Sequence, residues 1–472
     1  MKRHYFFNIF SISLLIFTIK WFFFFYGDLE LDLITKIVFD LKDWQYFTFI
    51  YSASELNFNP SFNLDLLDLK ILPFPVYSIL FHAIFFSIFD IYGFIFIEFF
   101  IILFFFYLFF NFFRILGINK IESIFLSLLI FCLPSLIDYF HLDNIQYVAA
   151  VKELYYLRVP RPSISHLYLF LFFLLLISCD AKKEFKLWQL AAIGSLFSFM
   201  FSSFYYNLAI SGILFLIYYF YITFKSNQKI TKYIKDSFVI IFFFTFLSIL
   251  TILILLNSEP DYLVRVGLVP LDLEKKKILL IHFMEKIFSI KFIVLFIIIT
   301  IFYLFLKAKK IHKAEGLNLL YFIFLSSFLS PIIFIILSPT ISEIYHFSNM
   351  LVALTFIVLL IFISLILFFF KMYTSWYSNI LKVCILSLIF MYSLNSYSVA
   401  NRSSLSLEKI HLNELIKEIK KINIDKDASI LTFDGKVQTI LILDDYKNLK
   451  NVLGFYSTLN DEMIENNLIK IF

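Results

Sequence analysis

Carboxylates at alternate positions follow the first long apolar run of the chain. The run ends near Tyr26, and Asp28, Glu30 and Asp32 come shortly after it. A carboxylate that leaves a membrane at such a boundary suits a general base, and neighbouring carboxylates can also bind a metal ion. We therefore predict Asp28, Glu30 and Asp32 as candidate catalytic residues, and Asp28 is the preferred general base. The alternative is an acidic external loop that only follows membrane topology.

Two arginines lie close together farther along the chain. Arg158 and Arg161 flank Pro160. Arginine binds planar oxyanions through two parallel hydrogen bonds, and proline limits the entropy that the segment loses on binding. The pair predicts a phosphate or pyrophosphate site. Snorkelling to lipid headgroups, or pairing with Asp138 or Asp143, is the alternative.

A third polar stretch, residues 257–286, supplies two further phosphate-binding candidates. These are Arg265 and Lys275, and the alternative for both is a belt of charge at the membrane interface. Glu98 lies in the middle of an apolar run. An acid at that depth is a functional hypothesis, with Asn111 or His82 as its partner, or else a structural group that is hydrogen-bonded between helices.

These residues belong to a chain whose composition requires a bilayer. Hydrophobic residues make up 61% and charged residues 16% of it, the mean hydropathy is +0.88, and 68 residues are phenylalanine. Apolar runs of about twenty residues match the length of a transmembrane helix. The predicted helices lie near residues 6–26, 71–89, 93–113, 121–137, 163–178, 188–205, 207–224, 237–256, 287–306, 317–337, 349–370 and 379–398. The fold class is therefore an all-α polytopic membrane protein with about 11–13 transmembrane helices.

Charge in the connections predicts the topology, with one conflict. Lysines concentrate near residues 182–186, 225–235, 307–313 and 371–382, which places these connections in the cytoplasm and the C-terminus outside. Twelve crossings from a cytoplasmic first residue would instead leave the C-terminus inside. We therefore expect one segment within 71–137 to be re-entrant or wrongly divided.

The composition changes after the last apolar run and divides the chain in two. Residues 1–399 form the transmembrane domain, which carries an extracytoplasmic loop at 27–70. Residues 400–472 read as a small extracytoplasmic α/β domain, with an amphipathic helix at 405–422 and a strand at 428–433. A unit of this size is expected to pack on the membrane domain.

Several classes of protein are excluded or disfavoured. The net charge of +5 comes from short loops rather than a continuous face, so we expect no nucleic acid. The three cysteines lie in or beside apolar runs, which argues against a disulfide framework or a cysteine zinc site. The sequence shows no nucleotide-binding loop and no serine triad.

The chain resembles the GT-C fold glycosyltransferases over about residues 6–180. These membrane enzymes take a sugar from a polyprenyl-phosphate carrier. The resemblance lies in Asp28 just after the first helix, a long first loop, and Pro73 and Pro75 before the second helix. The paired acids of the family alternate with other residues here, and Phe74 separates the two prolines.

This resemblance implies a mannosyltransferase-like or aminoarabinose-transferase-like enzyme. It would transfer a sugar from a polyprenyl-phosphate donor to a lipid-linked or cell-envelope glycan acceptor on the extracytoplasmic side. One of the three candidate carboxylates would deprotonate the acceptor hydroxyl, while Arg158 and Arg161 would stabilise the departing phosphate. No metal ligand is assigned, and a need for Mg²⁺ or Mn²⁺ is left open. The expected location is the bacterial inner membrane, with membrane lipid as a partner.

Two other functions are compatible with a multi-helix membrane body. An envelope lipid or sugar transporter, or a flippase, usually shows inverted repeats and helices broken by glycine or proline, and this chain shows neither. An O-antigen polymerase or ligase is expected to have its longest external loop late in the chain. Here the longest predicted loop is the first.

Overall fold

The computed structural model describes residues 3–27, 31–40, 46–56, 75–142, 151, 163–180, 185–226, 230–256, 269–310, 314–338, 340–341, 345–371, 376–404, 407–422, 425, 430–432, 437, 440–441 and 449–451. The helices in these ranges are α1 (Arg3–Gly27), α2 (Leu33–Asp40), α3 (Phe47–Ser54), α4 (Val76–Phe89), α5 (Gly93–Ile115), α6 (Lys120–Tyr139), α7 (Ser163–Asp180), α8 (Leu187–Ser203), α9 (Tyr205–Ser226), α10 (Ile230–Leu256), α11 (Leu273–Ile287), α12 (Ile290–Ala308), α13 (Ala314–Leu337), α14 (Tyr345–Lys371), α15 (Tyr377–Ser404) and α16 (Leu407–Ile422). Four short strands are β1 (Val269–Pro270), β2 (Thr340–Ile341), β3 (Ile430–Thr432) and β4 (Leu449–Asn451).

Apolar composition makes most of these helices suited to a bilayer. In the described part of the chain, nine helical stretches are long and apolar enough to cross it, and α7 and α8 are shorter apolar helices. Each of the twelve predicted apolar helices has a counterpart, namely α1, α4 to α10 and α12 to α15. The prediction of a polytopic α-helical membrane protein is confirmed.

Helix α4 does not cross the bundle. Its 14 residues extend about 21 Å, less than the hydrocarbon thickness of about 30 Å. Trp21 near the end of α1 and Phe94 near the start of α5 belong to one buried core, and Ile79, Ala83 and Phe86 of α4 lie in that core too. Helix α4 therefore starts and finishes at the end of the bundle where α1 ends and α5 begins.

The remaining long helices have their termini grouped at two ends. We call the end that contains Gly27 and Gly93 the first-loop end. Helix α15 also finishes there, because the Phe23 and Tyr397 rings lie 5.4 Å apart. At the other end, which we call the opposite end, a methyl group added to Gly316 would meet side-chain atoms of Leu116 and Ile177.

The conflict between the helix count and the lysine distribution disappears when α4 is not counted as a crossing helix. Within the described residues, eleven apolar helices then run between the two ends, namely α1, α5 to α10 and α12 to α15. An odd number places the start of α1 and the end of α15 on different sides, as the lysine-rich connections require. The expectation of a segment that does not span within 71–137 agrees with this arrangement.

Small side chains allow α8 and α10 to pack closely. A Cβ atom added to Gly194 would lie 2.5 Å from the Ile240 carbonyl oxygen, so the backbones approach where a larger residue could not fit. One turn farther along, the Ser248 hydroxyl donates to the Ser198 hydroxyl at 2.9 Å. Close approach and interhelical hydrogen bonds of this kind hold helices together in lipid.

The described residues beyond 400 pack on the first loop. Leu412 and Ile416 of α16 share a buried core with Ile34 and Ile37 of α2. The predicted helix at 405–422 is confirmed as α16. The predicted strand at 428–433 contains β3, which pairs in parallel with β4. These pieces do not establish a separate α/β domain, which stays a prediction.

Candidate functional site

Most of the predicted site residues lie outside the described residues. These are Asp28, Glu30, Arg158, Arg161 and Arg265. Their places in the chain are bounded by described elements. Asp28 follows directly on α1, Arg161 comes two residues before α7, and Arg265 four residues before β1.

Asp32 caps helix α2 and joins it to the C-terminal helix. Its Oδ1 atom accepts from the Ile34 backbone N–H at 3.0 Å, which satisfies a donor that the first turn leaves open. Its own backbone N–H donates to the Asn413 side-chain oxygen of α16 at 2.7 Å. These contacts give Asp32 a structural role, and its catalytic role stays a prediction.

The described helices of the first loop, α2 and α3, pack against the end of α1. Trp21 and Phe24 of α1, Ile37 of α2, and Tyr46 and Phe47 beside or within α3 are buried in one core. This core holds α1 and α2, the two elements that flank Asp28 and Glu30 in the sequence. The candidate carboxylates thus belong to a segment that is anchored on both sides.

Glu98 forms an ion pair in the membrane domain. Its Oε1 lies 2.6 Å from the Lys20 Nζ atom, and its Oε2 accepts from the Trp21 indole N–H at 3.1 Å. Only 3% of the Glu98 side chain is exposed. The predicted partners, Asn111 and His82, are placed within hydrogen-bonding distance of carbonyl oxygens of their own helices. Lys20 was missed although it interrupts the first apolar run.

A second group of elements meets around the start of α7. The Asn207 side-chain amide of α9 donates to the Ser165 carbonyl at 2.9 Å and lies 3.1 Å from the His166 Nδ1 atom. All three residues are buried. His166 is thus a packed histidine within hydrogen-bonding distance of an amide. These bonds hold the start of α7 against the α8–α9 turn.

Aromatic rings extend this group to α13 and α14. The His346 ring at the start of α14 lies 5.0 Å from both the Phe204 and the Tyr206 rings. Tyr205 stacks on Phe334 of α13 at 5.8 Å. The start of α7, the α8–α9 turn, the end of α13 and the start of α14 therefore converge at the first-loop end.

The third polar stretch adjoins the same group. Val269 of β1 pairs with Ile341 of β2, which lies between α13 and α14. The Lys276 ammonium of α11 donates to the Ile336 carbonyl at 3.1 Å. Arg265 thus precedes, in the sequence, a strand that pairs with the connection between α13 and α14.

Lys275 is exposed and its charge is partly matched by a neighbour. Its Nζ atom lies 3.4 Å from the Asp272 carboxylate, and its backbone N–H donates to the same carboxylate at 2.7 Å. That backbone hydrogen bond is the main cause that holds the pKa of Asp272 below its ordinary value. Phosphate binding by Lys275 would compete with this pair.

Helix α4 contacts both groups of elements, the one around the end of α1 and the one around the start of α7. At its start, the Tyr77 ring lies 5.0 Å from Phe199 of α8. Near its end, the Phe86 ring lies 5.6 Å from Phe94 of α5. The two groups therefore lie at the same end of the bundle, and their contacts with α4 are about 14 Å apart along that helix. A common pocket for Asp28, Arg158 and Arg161 stays a prediction.

Metal-binding side chains do not cluster within the described ranges. No three His, Cys, Asp or Glu residues lie close enough there to hold an ion. The three cysteines form no disulfide, and Cys132 and Cys179 are buried while Cys384 is half-buried.

Comparison with known proteins identifies no relative. No family model matches the chain, and no curated protein matches it.

Proposed function

We propose that this chain is a GT-C-like glycosyltransferase of the bacterial inner membrane. It transfers a sugar from a polyprenyl-phosphate donor to a lipid-linked or envelope glycan acceptor on the extracytoplasmic side. The observation that carries the proposal is the convergence, at the first-loop end, of elements adjoining the candidate carboxylates and elements adjoining the candidate arginines.

The difference in charge between the two ends of the bundle supports a reaction on the extracytoplasmic side. Short connections at the opposite end concentrate lysines at 182–186, 225–235 and 307–313. The positive-inside rule then assigns the opposite end to the cytoplasm and the first-loop end, with α16, to the outside. A reaction outside the cytoplasm is suited to a lipid-linked donor, because nucleotide sugars are made inside.

The candidate residue types match the charge changes of such a transfer. An acceptor oxygen forms a bond to the anomeric carbon of the sugar, while the bond from that carbon to the carrier phosphate oxygen breaks. Asp28 takes the proton of the acceptor hydroxyl, and Arg158 and Arg161 stabilise the negative charge that develops on the phosphate.

Replacing Asp28 tests the proposal. We expect Asp28→Asn in lipid nanodiscs to reduce polyprenyl-phosphate release, from a panel of polyprenyl-phosphate sugars with glycan acceptors, by about 100-fold or more. Donor binding should persist, because an amide of the same shape leaves the cationic segment intact. Glu55→Gln is the matched control, since Glu55 is an exposed acid of the same loop. Full activity of the Asp28 variant would remove this residue from the mechanism.

An envelope lipid or sugar transporter is the second candidate. The observation in its favour is the Lys20 and Glu98 pair, because ionisable residues within a bilayer often mark transport pathways. Substrate uptake by proteoliposomes, without release of polyprenyl phosphate, would support transport instead of transfer.

A further inference from the structure

Helix α11 lies at the first-loop end of the bundle, at the depth of the lipid headgroups. Helix α12 follows it after two residues. The 19 residues of α12 extend about 28 Å, close to the hydrocarbon thickness of about 30 Å, so its first residue, Ile290, lies near the membrane boundary. Near the other end of α11, the Lys276 ammonium donates to the carbonyl of Ile336, one residue before α13 ends. Both ends of α11 are thus held at one surface.

Sequence spacing gives α11 three stripes of side chains, because residues three or four apart share one side of a helix. The packing stripe includes Lys276 and Phe283, and Phe283 is fully buried in the core of the bundle. The apolar stripe is exposed and consists of Leu273, Lys277, Ile281 and Met284. The polar stripe is also exposed and consists of Lys275, Ile278, His282 and Glu285. The two exposed stripes lie on either side of the packing stripe.

The apolar stripe is continuous with a surface that faces lipid. Leu273 is 86% exposed, and Phe288, in the connection to α12, is 62% exposed. On α12 itself, Ile290 and Ile297 are exposed along a helix that is long and apolar enough to cross the membrane. A helix with an apolar side next to a polar side is the form that lies in a membrane interface. The apolar stripe thus suits acyl chains, and the polar stripe suits water.

The charge of α11 favours an anionic partner. The helix carries two acids, Glu274 and Glu285, and four lysines, Lys275, Lys276, Lys277 and Lys286. Membrane proteins concentrate lysine in their cytoplasmic connections, so a group of lysines at the extracytoplasmic end calls for a local partner. Lys277 belongs to the apolar stripe, where its stem follows hydrocarbon and its ammonium reaches the level of the lipid phosphates.

We propose that α11 is an interfacial helix that binds anionic phospholipid of the outer leaflet. Ile281 and Met284 contact the acyl chains, and Lys277 binds the lipid phosphate. The polar stripe faces water. This role is independent of the proposed transferase activity and depends only on the assignment of the first-loop end to the outside.

Spin labels on the full-length protein in nanodiscs test the orientation of α11. Single cysteines are introduced by Met284→Cys in the apolar stripe or His282→Cys in the polar stripe, in a variant without native cysteines. We expect the label at position 284 to collide more with oxygen, which concentrates in the bilayer, and the label at position 282 to collide more with a water-soluble nickel chelate. Equal water accessibility at both positions would overturn the proposal. Protection of position 284 from both reagents would indicate a protein partner and would also overturn it.

A fluorescent label tests the choice of lipid. Bimane on Met284→Cys is measured in nanodiscs of equal phosphatidylglycerol and phosphatidylcholine in which only one of the two lipids is brominated and quenches the label. We expect about fivefold stronger quenching by the anionic lipid, since one lysine near a membrane surface contributes about 1 kcal/mol. Adding Lys277→Gln should abolish this preference. Lys421→Gln is the control and should keep it, because it removes the same charge from α16, where Lys421 pairs with Glu418. Equal quenching by both lipids while Lys277 is present would contradict the proposal.

Discussion

At the scale of single residues, the ion pair between Lys20 and Glu98 is the main polar contact that ties α1 to α5. The Trp21 indole completes it by donating to the second carboxylate oxygen. A buried carboxylate is stabilised only while its partners remain, because its lost hydration is not otherwise replaced. The pair therefore fixes α1 against α5 near the end of α1 that precedes Asp28.

Removing one partner should cost far more than removing both. We expect Lys20→Met to destabilise the protein by about 3 kcal/mol, since it leaves Glu98 buried without its cation. The double variant Lys20→Met with Glu98→Gln should recover part of that loss. Unfolding in mixed detergent, followed by tryptophan fluorescence, measures the stability of both variants, and a double variant no more stable than Lys20→Met would contradict the expected coupling.

At the scale of elements, α16 acts as a clamp on the first loop. Its buried Asn413 side chain accepts from the Asp32 backbone N–H, while Leu412 and Ile416 pack in the core that covers the end of α1. A contact between residues so far apart in sequence orders α2 only when the C-terminal helix is in place.

Loss of the Asn413 side chain should loosen α2 without unfolding the bundle. We expect Asn413→Ala to lower the opening free energy of α2 by about 1 kcal/mol, because a partly buried N–H loses its acceptor. Hydrogen exchange of the residue 31–40 peptide measures this as about fivefold faster exchange. Glu414→Ala, at an exposed position of the same helix, is the control. Unchanged exchange in the Asn413 variant would show that packing alone orders α2.

At the scale of the whole molecule, the crossing helices among the described residues have different elements at the two ends of the bundle. The first-loop end holds α2, α3, α4, α11 and α16. Within the described residues, the opposite end holds only short connections such as those around Leu116 and Lys309.

Cysteine accessibility should report this division. In a variant without native cysteines, Glu55→Cys and Glu414→Cys should react with a membrane-impermeant maleimide added to intact spheroplasts. Lys309→Cys, also at an exposed position, should react only after permeabilisation. Labelling of Glu55→Cys and Lys309→Cys from the same side would contradict the assignment of α4 as a helix that does not cross.

The apolar runs were sufficient to place the helices. Each predicted run corresponds to a helix, and the division near Tyr205 falls at Phe204. Hydrophobic length is a local property, because each transmembrane segment satisfies its backbone hydrogen bonds within itself. The candidate carboxylates and arginines were likewise chosen on local chemistry, and their roles stay predictions.

Whether an apolar helix crosses depends on where its ends are held. The α4 sequence is as apolar as its neighbours, yet the shared core of Ile79, Phe86 and Phe94 keeps both of its ends on one side. The partner of Glu98 was equally beyond reach, since Lys20 lies 78 residues away in sequence. Sequence alone determined the membrane class and the helices of this protein. Tertiary packing decided the number of crossings and the polar partners, because both depend on contacts between distant segments.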